Sequence, residues 1–179
     1  MRHPYQSFDP VAEVNGETLH AFRAAFNVDA LALDLLKRHG LPVAPQAGRW
    51  YPLQGWLDLL ATVEATYGPE TVYAVGLQVF ANCRWPEGLS DLESAVRALD
   101  EACRLNVQGE PIGYYRAEAC GPQGLRVECR TPTPKDFERG IVTGLVRQFK
   151  PDGSLRVGVT WEPTPEVGDP LFKRFLVRW

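Results

Sequence analysis

The chain is short of histidine. It has His3, His20 and His39, and none among residues 40 to 179. That removes the usual general base and the commonest metal ligand from most of its length. The three are never closely spaced and no H-E-x-x-H occurs, so no metal is expected. Lysine is almost as scarce, at Lys37, Lys135, Lys150 and Lys173. With 19 basic against 22 acidic residues and a net charge of -3, there is no basic stripe to draw nucleic acid. An apolar run of about 18 residues is missing, which excludes a membrane-spanning helix, and the first residues lack the apolar core of a signal peptide. A cytoplasmic protein is the resulting expectation.

Four cysteines, Cys83, Cys103, Cys120 and Cys129, form no C-x-x-C pair, and their spacing matches no zinc motif; buried free thiols are expected. No phosphate-binding glycine loop and no G-x-S-x-G is present, and Ser7, Ser90 and Ser154 fall in turn or cap contexts. The carboxylate pairs Asp136 with Glu138 and Asp58 with Glu64 read as solvated helix faces rather than acid/base couples. These absences together point away from an enzyme.

What is present is a change of texture along the chain. One domain, 1–179, is expected, with an irregular arm over 1–15, a helical part over 16–106 and an α/β part over 110–179. Leu19, Phe22 and Phe26 share a helical face; Asn27 and Asp29 interrupt it; the pattern resumes to a stop at His39-Gly40. Residues 41–50 read as a loop. Leu53, Trp56, Leu57, Leu60, Val63 and Tyr67 predict a helix ending at Gly68-Pro69, and residues 70–80, although partly alternating, are assigned to another. Ser90 is read as the cap of a helix with Leu92, Val96, Leu99 and Cys103 on its core face.

Residues 110–119 and 125–130 then read as strands around a Gly121-Pro122-Gln123-Gly124 turn. A helix over 134–149 follows, then strands over 155–161 and 171–179, with a turn at Pro151-Asp152-Gly153 and a loop over 163–170. Thr133 suits an N-cap, Pro134 a first helical position, and Asp136 the positive end of the helix dipole. Phe137, Ile141, Leu145 and Phe149 give that helix an apolar stripe facing the sheet, where Gly140 and Gly144 allow close backbone approach.

The element order over Leu53 to Trp179, with the junction Val127-Glu128-Cys129-Arg130-Thr131-Pro132-Thr133-Pro134 leading into Phe137–Phe149, resembles one known ligand-binding fold. It is shared by haem–nitric oxide/oxygen-binding (H-NOX) domains, 4-vinyl reductase-type domains and the small subunits of the TRAPP particle. The resemblance implies an α+β protein: a helical N-terminal half packed on a curved antiparallel sheet built as strand-strand-helix-strand-strand. In the haem-binding group a Tyr-x-Ser-x-Arg motif at this junction holds the propionates. The matching positions here are Cys129, Thr131 and Thr133, and threonine cannot replace a guanidinium fork on a carboxylate. Arg130 is one residue early and points to the other face of a strand. The proximal histidine before the sheet is missing as well, and Cys103 reads as a core thiol rather than an iron ligand. No haem and no other cofactor is expected.

The resemblance further implies an apolar pocket between the two halves, taking a small hydrophobic molecule. Expected wall residues are Trp56, Leu60, Leu99, Cys103, Tyr114, Val127, Cys129, Ile141 and Leu145. Adjacent Tyr114 and Tyr115 must point to opposite faces of their strand; Tyr114 is taken as the pocket-facing one. Trp50 and Tyr51 could wall the same pocket but read as core aromatics. The leading reading is a non-catalytic ligand-binding or sensory domain. The alternative is an assembly subunit that pairs, as a homodimer or with another chain, through its helical half.

Overall fold

The computed structural model describes residues 4–26, 28–153, 157–164 and 167–179. His3, Asn27, Ser154, the expected strand start at Leu155, and residues 165–166 of the expected 163–170 loop lie outside them. Eight helices and two antiparallel sheets are present among the described residues.

The helical part begins with a short strand, β1 (Glu13–Asn15), inside what the sequence suggested was an irregular arm. Asn15 ends it and caps α1 (Gly16–Ala24), its side chain accepting from the Thr18 backbone N–H at 3.1 Å. After α2 (Asp29–Arg38), the expected loop closes with β2 (Trp50–Pro52), which runs directly into α3 (Leu53–Tyr67). Gly68, at φ 87°, breaks the chain so that Pro69 can open α4 (Pro69–Leu77). A one-turn helix, α5 (Val79–Asn82), follows, so residues 70–80 are indeed helical.

The next expected helix is two, α6 (Leu92–Arg97) and α7 (Leu99–Asn106). Its cap is Asp91, not Ser90: Asp91 accepts from the Ser94 N–H at 2.8 Å, and Ser94 Oγ accepts from the Asp91 N–H at 3.1 Å. Two-residue β3 (Val107–Gln108) then returns to β1 and completes a small sheet in the order β2-β1-β3.

The second sheet has the order β4-β5-β7-β6, from β4 (Tyr114–Ala119), β5 (Gly124–Arg130), β6 (Gly158–Glu162) and β7 (Phe172–Arg178). Two hairpins pair through the antiparallel centre β5–β7, and α8 (Lys135–Gln148) connects them. Alternation sets the inner face: Leu125, Val127 and Cys129 of β5 and Lys173, Phe175 and Val177 of β7 are buried.

α8 carries its apolar stripe into the core, but its glycines meet a helix, not the sheet. A Cβ on Gly140 would lie 2.3 Å from the Tyr73 carbonyl oxygen, and one on Gly76 2.2 Å from that of Phe137. Gly76 and Gly140 therefore let α4 and α8 cross backbone to backbone. No helix is long and apolar enough to cross a membrane among the described residues.

Candidate functional site

The crossing of α4 and α8 fixes where α8 begins, and the first turn of α8 forms one wall of a cavity. Its volume is about 90 Å³. Trp56 and Leu57 of α3, Leu99 and Cys103 of α7, and Phe137 and Ile141 of α8 belong to its apolar wall. Trp56 packs edge-on against Phe137, with ring centroids 5.8 Å apart.

Of the residues expected here, Trp56, Leu99, Cys103 and Ile141 line the cavity. Leu60, Val127, Cys129 and Leu145 are fully buried in the surrounding core without lining it. Tyr114 points elsewhere, its ring 4.7 Å from the Arg116 guanidinium, and Tyr115 reaches the cavity instead. Hairpin register explains the exchange. Tyr115 pairs with Cys129 and Ala117 with Val127, so Tyr115 shares the buried face of β5.

The polar wall is Glu138, which the sequence suggested was solvent-facing and which is 0% exposed. Tyr115 Oη donates to its Oε2 at 2.6 Å, and Thr131 Oγ1 donates to its Oε1 at 2.8 Å. Thr133 Oγ1 also donates to Oε1. Thr133 is thus not the N-cap of α8; Pro134 occupies that position, with no side-chain cap, and the Thr133 hydroxyl serves the carboxylate. The pairing of Asp136 with Glu138 is likewise no solvated face. Asp136 is 9% exposed and turns away, to Arg139 Nε at 3.0 Å.

Behind Thr131 lies Lys173, 3% exposed, whose Nζ donates to the Thr131 carbonyl oxygen at 2.7 Å and to Thr131 Oγ1 at 3.0 Å. The donors run in one direction: ammonium to Thr131 hydroxyl, Thr131 hydroxyl to carboxylate. A buried cation and a buried anion are joined through one hydroxyl, with further donors satisfying the anion, as such burial requires.

This arrangement acts on its neighbours. Burial, and after it the Glu138 charge, pushes the Tyr115 phenol well above its ordinary range. The same two causes push the Cys103 thiol up to about 12 and raise that of Cys129. Cys83, beside Thr18 at the other end of the cavity, is pushed up to about 12 chiefly by burial. All four cysteines are free thiols, and these three are held protonated near neutrality. Raised in this way, these hydroxyls and thiols stay in their protonated, weakly nucleophilic forms near neutrality.

At that other end Asn106 accepts from Asn15 Nδ2 at 2.7 Å and donates to the carbonyls of Arg84 and Ala102, each at 2.7 Å. Trp85 also lines the cavity. Its indole Nε1–H is fully buried and has no acceptor among the described residues. The other carboxylate pair considered, Asp58 and Glu64, is divided between different partners: Gln54 Nε2 donates to Asp58 at 2.6 Å and Tyr5 Oη to Glu64 at 2.7 Å. No cluster of three or more His, Cys, Asp or Glu side chains suited to a metal occurs among the described residues.

No protein-family model and no curated protein matches the chain. Solved structures do match in fold. An H-NOX protein from S. oneidensis in the Fe(II)NO ligation state superimposes with a TM-score of 0.68 at 13% identity, over 92% of this chain and 98% of that one. An oxygen-binding H-NOX domain related to soluble guanylate cyclases, solved as its oxygen complex, gives 0.64 at 17% identity, over 91% and 90%. The fold is H-NOX-like, and identities this low establish the fold alone.

Proposed function

We propose that the chain is a non-catalytic, sensor-type domain that binds a small, largely apolar molecule in the cavity between its helical half and its sheet, without haem. Glu138 carries the reading. The resemblance places a propionate grip at Cys129, Thr131 and Thr133, and here both threonine hydroxyls are committed to a carboxylate that belongs to the protein. A haem propionate arriving there would meet a like charge and no guanidinium.

The remaining requirements for haem also fail. No histidine lines the cavity among the described residues, and its only sulfurs there are the Cys83 and Cys103 thiols. A volume of about 90 Å³ is well below the roughly 300–1,000 Å³ of pockets that enclose larger ligands. The residues do not fit haem.

The assembly reading has less support. Among the described residues, the exposed large hydrophobics of the helical half and the arm before it are Val11, Val28, Val43, Tyr67 and Leu105, spread over five separate segments of the chain. The test is a hemin titration of the purified protein followed by absorption spectroscopy, beside native mass spectrometry. Hemin is expected to give only its free spectrum, and a bound small molecule or an empty monomer is expected by mass. A stoichiometric, shifted Soret band would overturn the haem-free reading.

A further inference from the structure

The polar atoms of the cavity restrict what it can take, given that it is a ligand pocket as proposed above. Glu138 Oε1 already receives two hydroxyl donors, whereas Oε2 receives one. A carboxylate oxygen can accept two, so Oε2 has capacity for one more donor. The buried Trp85 N–H supplies the opposite need, a donor without an acceptor. An apolar molecule carrying a donor would complement the carboxylate, and one carrying an acceptor would complement the indole; a neutral hydroxyl or primary amide can serve in either role.

Charge narrows the choice further. Lys173 already balances Glu138 through Thr131, so a ligand cation would leave the buried cluster with net positive charge. A ligand anion would face Glu138 directly and could offer it no proton. At about 90 Å³ the space is smaller than the roughly 150 Å³ of an apolar cavity that takes benzene. We infer that the pocket selects short neutral alcohols or primary amides over amines and carboxylic acids of the same size.

The experiment is an NMR titration of the ¹⁵N-labelled protein with n-butanol, n-butylamine and sodium butyrate at neutral pH, and with xenon. The resonances followed are the indole N–H groups of Trp56 and Trp85. Affinities of about a millimolar are the scale for so small a ligand. Butanol is expected to bind about tenfold more tightly than either charged probe, the worth of one good hydrogen bond, and to shift the Trp85 N–H. Equal or tighter binding of butylamine or butyrate would overturn the selectivity.

Xenon binding without any preference among the polar probes would overturn the selectivity and leave the pocket standing. Failure of all four to bind would overturn both. In Glu138→Gln the like charge is gone, so the preference for butanol over butyrate should shrink several-fold; an unchanged ratio would also overturn the inference. If that variant does not fold, the wild-type order of affinities decides.

Discussion

Replacing Gly140 by alanine tests whether the α4–α8 crossing sets the position of the cavity wall. The new Cβ would stand 2.3 Å from the Tyr73 carbonyl oxygen and 2.8 Å from the Gly76 Cα, and neither backbone atom can swing aside. Restoring ordinary contact requires the helices to part by about 1 Å, and a gap of that size forfeits about a quarter to a half of the dispersion energy along the seam. Overpacking of this kind costs about 1–3 kcal/mol, towards the upper end because both helices are anchored. Alanine returns about 1 kcal/mol of helix propensity. The net loss should be about 2 kcal/mol, or about 4–8 °C in Tm for a chain of this length.

Urea unfolding followed by circular dichroism measures the loss. Gly144→Ala is the internal control: its nearest neighbour, the Leu77 carbonyl oxygen, is 3.2 Å away, so the clash should roughly cancel the propensity gain. A Gly76→Ala/Gly140→Ala double variant should cost less than the sum of its parts, since helices already parted admit the second methyl. Unchanged or raised stability in Gly140→Ala would refute the close crossing.

Thr133→Val should destabilise by about 1–3 kcal/mol, because it removes a donor from a buried carboxylate. Lys173→Met should cost more, about 3–5 kcal/mol, by leaving Glu138 buried without its counter-charge; urea midpoints check both. Stability should be flat near neutrality and fall in alkali. Tyr115, Cys83, Cys103 and Cys129 have raised folded-state pKa values, so their stabilisation is complete below the ordinary thiol range and is lost as pH rises through the folded values. Between about pH 9 and 12 each such thiol should contribute a slope of up to about 1.4 kcal/mol per pH unit. Unfolding free energies that do not decline over this window would refute the burial of these groups.

Local pattern revealed much of the frame and little of the polar site. The helix from Leu53 to Tyr67 and the hairpin around residues 121–124 were legible because periodicity and turn chemistry agree there. Thr133 misled because a hydroxyl just before a helix is the usual sign of a cap, and the same hydroxyl serves equally to hold a carboxylate. Glu138 gave no sign of burial: its partners Tyr115, Thr131 and Thr133 come from β4 and the β5–α8 junction, and only the closed tertiary structure joins them. Tyr115 was within reach, since counting register back from the turn puts it opposite Cys129. The three short strands of the small sheet are too brief to show any period.

That small sheet has a consequence for the order of events during synthesis. Val14 pairs with Tyr51 of β2 and with Val107 of β3, so this early strand must wait for the whole helical part to be made before its second partner arrives. Until then the β3-facing edge of β1 is open, and the buried Asn15 side chain has not yet met Asn106. The completion of the small sheet is thus timed by a segment far downstream, and a nascent chain stalled before residue 107 should be more sensitive to protease at β1 than the full chain.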